Sequence, residues 1–273
     1  MTRHLRLSLA VATAAVAAIA LSSCSAGSSG GADGTVTDGK LTIATGQPAY
    51  SPWVEDDKPQ SGKGFESAVA YAVAKEMGYA KSDVMWKRST FDSAVAPGPK
   101  DWDLNVQQFS ISSQRKKAVD MSSPYYTTTQ AVVTTKKSKA VDDTTIAALK
   151  QDTIGVAAGS TSITSVKDTL GVTPQVFNSN DDAVLALKSG QIDAIVTDLP
   201  TAFYMSAAQL DEGTVSAQFP ADGTGDQFGF VLPKDSGLTK KVDSAVEKLD
   251  DDGTLQDLQT KWLSSETNTP VLK

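Results

Sequence analysis

The sequence predicts an α/β chain folded as two lobes, the first of them discontinuous. Three observations point there. β-Branched alternating runs and helix-periodic runs follow one another from Gly39 to Ser264. The alternation is cleanest between Thr153 and Gln209, where it implies parallel strands joined by crossover helices. A strand and two helices then return, as they do when one domain is inserted into another. The expected boundaries are 39–130 with 232–264 for the first lobe, 131–231 for the second, and 265–273 for a C-terminal tail.

Each element has a local reason. Lys40–Thr45 alternates and is β-branched, so it reads as a strand. Phe65, Ala68, Val69, Ala72, Val73 and Met77 repeat at helical spacing, and Gly78 stops that helix. Val84–Arg88 is a second strand, and Phe91–Ala96 a short helix ended by Pro97-Gly98-Pro99. Asp103–Val106 and Gln130–Thr135 are strands. In the middle, strands at Thr153–Ala157, Gln175–Phe177 and Ile192–Thr197 alternate with helices at Ser160–Leu170, Asp181–Lys188 and Thr201–Gln209, the last opened by Pro200. Gln227–Leu232 reads as one strand. Helices at Leu238–Leu249 and Leu255–Leu263 follow, split by Asp250-Asp251-Asp252-Gly253.

The N-terminus reads as an export signal over residues 1–23. Arg3 and Arg6 precede an apolar run from Leu7 to Leu21 that ends in Ser22-Ser23-Cys24, the layout of a secretory leader. The run is short for a bilayer span, which needs roughly 20 apolar residues. Leu21-Ser22-Ser23-Cys24 resembles a bacterial lipobox, which makes Cys24 the expected lipidation site. Residues 24–38 are rich in Ser, Gly and Ala and read as a flexible tether.

Composition excludes several chemistries. The chain has one cysteine, Cys24, and one histidine, His4, inside the leader. Internal disulfides, Ser-His-Asp and Cys-His catalysis, and zinc sites built on His or Cys are therefore not expected in the processed chain. Lys and Arg number 25 against 32 Asp and Glu, and such acidity argues against nucleic acid as a partner. No cofactor and no metal are expected.

Two lobes leave a cleft, where ligands commonly sit, and open α/β sheets bind at the carboxyl ends of their strands. Three polar groups fall at such ends: the loop after Val106, the Gly159-Ser160-Thr161 turn, and Asp198. Singly each has a plain structural role. Arg115 sits in a charge run that suits a solvated helix face, Thr161 suits an N-cap, and Asp198 suits a helix start. Jointly they suit a free amino acid. A guanidinium with hydroxyl and N–H donors pairs with a carboxylate, and a carboxylate accepts from an ammonium. Tyr50, Trp53 and Phe91 fall in loops or turns where aromatic walls form.

The stretch from Phe109 to Asp120 (FSISSQRKKAVD), followed by Ser123-Pro124-Tyr125-Tyr126, resembles the signature of family 3 solute-binding proteins. So do Gly64-Phe65-Glu66, Gly155–Thr161 and Ala186–Asp198, in order along nearly the whole body. The resemblance implies a two-lobed periplasmic-binding-protein-like fold of type II, with hinge segments near Ala131–Thr135 and Gly225–Val231. It implies the polar amino-acid receptor of an ABC importer, acting as a monomer with a permease and cytoplasmic ATPase. By position, Arg115 would hold the ligand carboxylate with Ser110 and with Thr161 and its backbone N–H, and Asp198 the ammonium; Ser160 would be a further ligand-binding residue. Gln108 would offer a carbonyl, Tyr50 and Phe91 would flank the side chain, and Trp53 would stand near the rim.

The sequence departs from that pattern in places. Some cation-binding relatives carry an acid two residues before a proline ahead of the first aromatic; here the stretch is Gly46-Gln47-Pro48-Ala49-Tyr50, with Gln47 the nearest candidate, and the lack of that acid leans away from a strictly cationic ligand. Ala68 replaces an acid, Ala157 is small, and Asp101-Trp102-Asp103 interrupts a regular turn. Two other readings share the fold. A small-acid dehydratase needs a further acid in the cleft, for which Glu66, Asp101 and Asp226 are candidates. A sensor ectodomain is disfavoured because nothing follows Lys273 and no membrane helix is seen.

Overall fold

A computed structural model describes residues 34–220, 226–263 and 269–273. The leader, Cys24 and most of the tether lie outside them. In chain order the elements are β1 (Leu41–Thr45), α1 (Phe65–Glu76), β2 (Val84–Arg88), α2 (Phe91–Val95), β3 (Leu104–Asn105), β4 (Asp120–Met121), β5 (Tyr126–Thr128) and β6 (Gln130–Thr135). Then come α3 (Ile146–Leu149), β7 (Ile154–Ala157), α4 (Ser162–Ser165), β8 (Gln175–Phe177), α5 (Asn180–Lys188), β9 (Ala194–Asp198), α6 (Leu199–Tyr204) and β10 (Gly213–Gln218). The last are β11 (Asp226–Phe228), β12 (Val231–Leu232), α7 (Thr239–Asp251) and α8 (Thr254–Leu263).

Among the described residues the strands form two five-stranded sheets and one ribbon. The first sheet has the order β2-β1-β3-β12-β4, and the second β10-β6-β9-β7-β8. β1 runs parallel to β2 and β3, while β12 returns antiparallel. In the second sheet β7 is parallel to β8 and β9, and β6 is antiparallel to β9 and β10. Each sheet anchors one lobe. The two-stranded ribbon β5–β11 carries the chain between them.

Period-two alternation explains the first core. Leu41 and Ile43 of β1 pack with Val69 and Val73 of α1 and with Val242 and Val246 of α7, while Ala44 faces a second cluster with Ala94, Trp102 and Phe109. All of β1 is buried, Thr42 and Thr45 included, because the sheet is covered on both faces. In α7, Val242, Ala245, Val246 and Leu249 are the buried positions, one stripe of a 3.6-residue helix. The second sheet likewise carries a cluster on each face.

The Gly64-Phe65-Glu66 block has a physical origin. Gly64 caps α1 at φ 96°, and a Cβ there would lie 2.5 Å from the Trp53 carbonyl oxygen. Only glycine lets α1 dock so closely on the Pro52–Val54 loop, whose carbonyls accept from the backbone N–H groups of Phe65 and Glu66.

Four features differ from the sequence expectation. Residues 131–135, read as a hinge, lie inside the second sheet, because β6 pairs there with β9 and β10. The single strand expected at Gln227–Leu232 divides into β11 and β12, since one half pairs with β5 and the other with β3 and β4. The helices at Ser160–Leu170 and Thr201–Gln209 each finish in a π-helical turn. Residues 269–273, read as a tail, pack on the second lobe. There Val271 bridges β10 at Gln218, and Leu272 is buried in the core. Burying Leu272 removes its apolar surface from water, a gain a solvated tail lacks.

Candidate functional site

Between the lobes lies a cavity of about 310 Å³. It gathers the carboxyl ends of β1, β7 and β9 with the loop after β3, and its lining includes Arg115, Ser110, Thr161, Asp198, Tyr50 and Phe91. Gln47, Gln108 and Ser160 line it too.

Arg115 is held by contacts within the chain itself. Its backbone N–H donates to Ser112 Oγ, starting a short 3₁₀ turn. Nη1 donates to the Ser110 carbonyl at 2.6 Å, and Nη2 to the Gly159 carbonyl of the other lobe at 2.8 Å. The guanidinium carbon stands 5.1 Å from the Phe91 ring centroid, and Phe91 leans on Phe109 at 4.8 Å. This is a cation–π seat, and it orients a fork whose remaining N–H groups are free to donate. Burial lowers the basicity of Arg115, opposed by the charges of Asp198 and Asp226.

Opposite stands an acidic pair that shares one amide. Gln130 Nε2 donates to Asp198 Oδ1 at 2.6 Å and to Asp226 Oδ2 at 2.7 Å. The Gln130 carbonyl accepts from Ser162 Oγ at 2.6 Å, which turns the NH₂ group toward the carboxylates. Thr161 Oγ1 donates to Asp226 Oδ2 at 3.0 Å and lies 3.1 Å from Ser110 Oγ. Burial, reinforced by the nearby Asp226 charge, pushes the Asp198 carboxyl up to about 8, although Gln130 and Arg115 favour its anion. Thr161 therefore does not act as the expected N-cap. Its side chain makes no capping bond and reaches across the cleft instead.

Three residues shape the rim and floor. Tyr50 OH donates to the Asp181 carboxylate of α5, and the Tyr50 ring lies 5.5 Å from Tyr204. Gln108 adopts φ 49°, held by its backbone N–H donating to Glu66 Oε1 and its amide to Glu66 Oε2. Glu66 also accepts from Tyr125 OH, and full burial pushes its carboxyl up to about 7. Ser160 Oγ donates to the Ala157 carbonyl at 2.7 Å.

Trp53 departs from expectation. It is 2% exposed and packs among Phe65, Tyr126 and Phe228, and it does not line the cavity. An indole surrounded by three rings buries more apolar area than one at a wet rim. Its N–H donates to Thr201 Oγ1 at 3.1 Å, so it ties the lobes from beneath. Of the further acids, Glu66 does not line the cavity and Asp101 pairs with Lys87 at the surface, whereas Asp226 stands beside Asp198. The expectation missed Gln130 and Ser162, which lie within regular elements and carry no motif, and Asp181, which reads as an ordinary helix-start acid.

Two α/β lobes closed on a polar cavity, tied by a ribbon, define a two-lobed binding protein of the periplasmic type. The sequence pattern of the bacterial extracellular solute-binding proteins, family 3, matches residues 41–265, and the chain belongs to that family. It is 30% identical to the arginine-binding extracellular protein ArtP of Bacillus subtilis, across 84% of this chain and 88% of that one. It is 29% identical to the glutamate-binding protein GluB of Corynebacterium efficiens, across 95% and 92%. A solved ancestral arginine-binding protein bound to glutamine superposes with a TM-score of 0.66 at 30% identity, covering 83% of this chain and 98% of that one. Among the described residues, no helix is long and apolar enough to cross a membrane.

Proposed function

We propose that this protein captures a polar amino acid outside the cytoplasmic membrane and delivers it to an ABC permease driven by a cytoplasmic ATPase. A lipid on Cys24 anchors it, and it works as a monomer. One observation carries the reading: a cavity between the two lobes is lined by one pinned guanidinium, Arg115, and by the raised carboxyl of Asp198. Arg115 takes the ligand carboxylate with Ser110 and Thr161 beside it, and Asp198 takes the ammonium. Gln108, Phe91, Tyr50, Gln47 and Ser160 complete the walls. The names of relatives support the class, among them the ABC transporter glutamine-binding protein GlnH of Bacillus subtilis, 25% identical over 214 residues.

The lobes act as a hinged clamp. A ligand that touches Arg115 on one lobe and Asp198 on the other binds best when both are close, so it shifts the population toward closure. The expected result of a thermal-shift screen against the common amino acids is a rise of about 5–10 °C for at least one of them at hundredfold excess over its Kd. No rise with any amino acid would reject the reading.

Asp226 favours a second reading, since a dehydratase on this fold calls for another acid beside Asp198. A solved ancestral amino acid-binding protein, described as a precursor of cyclohexadienyl dehydratase, is 29% identical with a TM-score of 0.65. Gln130 and Thr161 both donate to Asp226, which suits a fixed acceptor better than a mobile proton carrier. Recovery of the bound compound unchanged after prolonged incubation separates capture from turnover.

A further inference from the structure

We propose that Asp181 reads the ligand's side chain and that the substrate class is α-amino acids with a cationic side chain, an inference that rests on the amino-acid reading above. The cavity holds two separate polar networks. One joins Arg115, Ser110, Thr161, Gln130, Asp198 and Asp226 and serves the ligand's head. The other joins Asp181 to Tyr50 OH and to Gln209 Nε2 at 2.9 Å, and shares no hydrogen bond with the first.

Charge accounting decides what the second network wants. Among the described residues lining the cavity, Arg115 is the one cation, and Asp181 and Asp198 are the acids. A zwitterionic head matches Arg115 and Asp198 and leaves two acids without a counter-charge: Asp226, which is outside the lining and is held by Gln130 and Thr161, and Asp181, which lines the cavity. None of the ion pairs among the described residues involves Asp181. Tyr50 and Gln209 both donate to it, yet a carboxylate has about four acceptor sites, so further donors fit. Closure around an uncompensated carboxylate is costly, and a ligand cation removes the cost.

Two surrounding features agree. Gln107 also lines the cavity, and its buried side-chain oxygen has no donor among the described residues, so it too calls for an N–H. The hydroxyls of Tyr50 and Tyr204 are raised above their ordinary range, mainly by burial and in smaller part by the Asp181 carboxylate beside them. Gln47 lacks the acid whose absence leans away from a cationic ligand. Asp181 supplies one from the other lobe, at the start of α5.

The test is isothermal titration of the full chain with L-arginine, L-citrulline and L-glutamate. Citrulline keeps arginine's length and most of its donors but carries no side-chain charge. Arginine is expected to bind at least about tenfold tighter than citrulline, since charge-assisted bonds are roughly twice as strong as neutral ones. Glutamate is expected to bind most weakly. Asp181→Asn should weaken arginine far more than citrulline and bring the two within about threefold. The melting temperature of the unligated variant reports its fold, and the wild-type ratio decides the matter if that variant folds poorly. Citrulline or glutamate binding as tightly as arginine, or an unchanged ratio in a folded Asp181→Asn, would overturn this inference and leave the amino-acid reading standing. Binding of no amino acid would overturn both.

Discussion

Arg115→Ala is expected to weaken every α-amino acid ligand at least about a hundredfold, the scale seen when one partner of a buried charge pair is removed. The guanidinium is held by the Ser110 and Gly159 carbonyls and by the face of Phe91, so little entropy remains to be lost when a carboxylate docks. Truncation strands that carboxylate in a cavity that still holds Asp198, with Asp226 nearby. It also removes the bond from Arg115 to Gly159, one of the contacts joining the lobes. Arg115→Lys should recover part of the loss, because it restores the charge without the two-pronged geometry. Titration calorimetry on both variants checks the order. Undiminished binding by a folded Arg115→Ala would mean the carboxylate sits elsewhere.

Asp198→Asn is the second large effect, and it carries a pH signature. The unligated carboxyl titrates near 8, while an ammonium ligand needs the anion. Binding at pH 7 therefore expels a proton from Asp198. Affinity should climb as pH rises from 6 toward 8, by at most about tenfold per unit, and flatten above. The Asn variant should lose both the slope and about tenfold or more of the affinity for zwitterions, while sparing ligands without an amino group. Calorimetry in buffers of different ionisation enthalpy counts the proton directly. The same raised pKa bears on stability. The folded state keeps a proton that the unfolded chain releases between its ordinary 3.8 and about 8, so this group's contribution falls as pH rises through that window. Glu66, raised to about 7, acts in the same direction.

Much of this was legible in the sequence because period and chemistry agree locally. β1 and β6 announce themselves by β-branched runs, and α7 by its stripe. Arg115 and Asp198 sit in recognisable blocks, Asp198 at the end of β9 and Arg115 in the loop after β3. Other features depend on partners the sequence does not name. β12 separates from β11 only because β3 and β4 wait on one side and β5 on the other. Trp53 looks like a rim aromatic until Phe65, Tyr126 and Phe228 close around it. Gln130 becomes a site residue only when β6 pairs Gln130 with Asp198 and Ser162 turns its amide. Asp181 stays an ordinary helix-start acid until Tyr50 crosses the cleft to meet it.

The central claim is that one cavity grips both charges of an amino acid's head, and blocked ligands test it most directly. The amino acid giving the largest thermal shift is titrated beside its α-amide, which lacks the carboxylate, and its deaminated acid, which lacks the ammonium. Each blocked form is expected to bind at least about tenfold more weakly than the parent, the α-amide the weaker of the two. Either one binding as tightly as the parent would contradict the account.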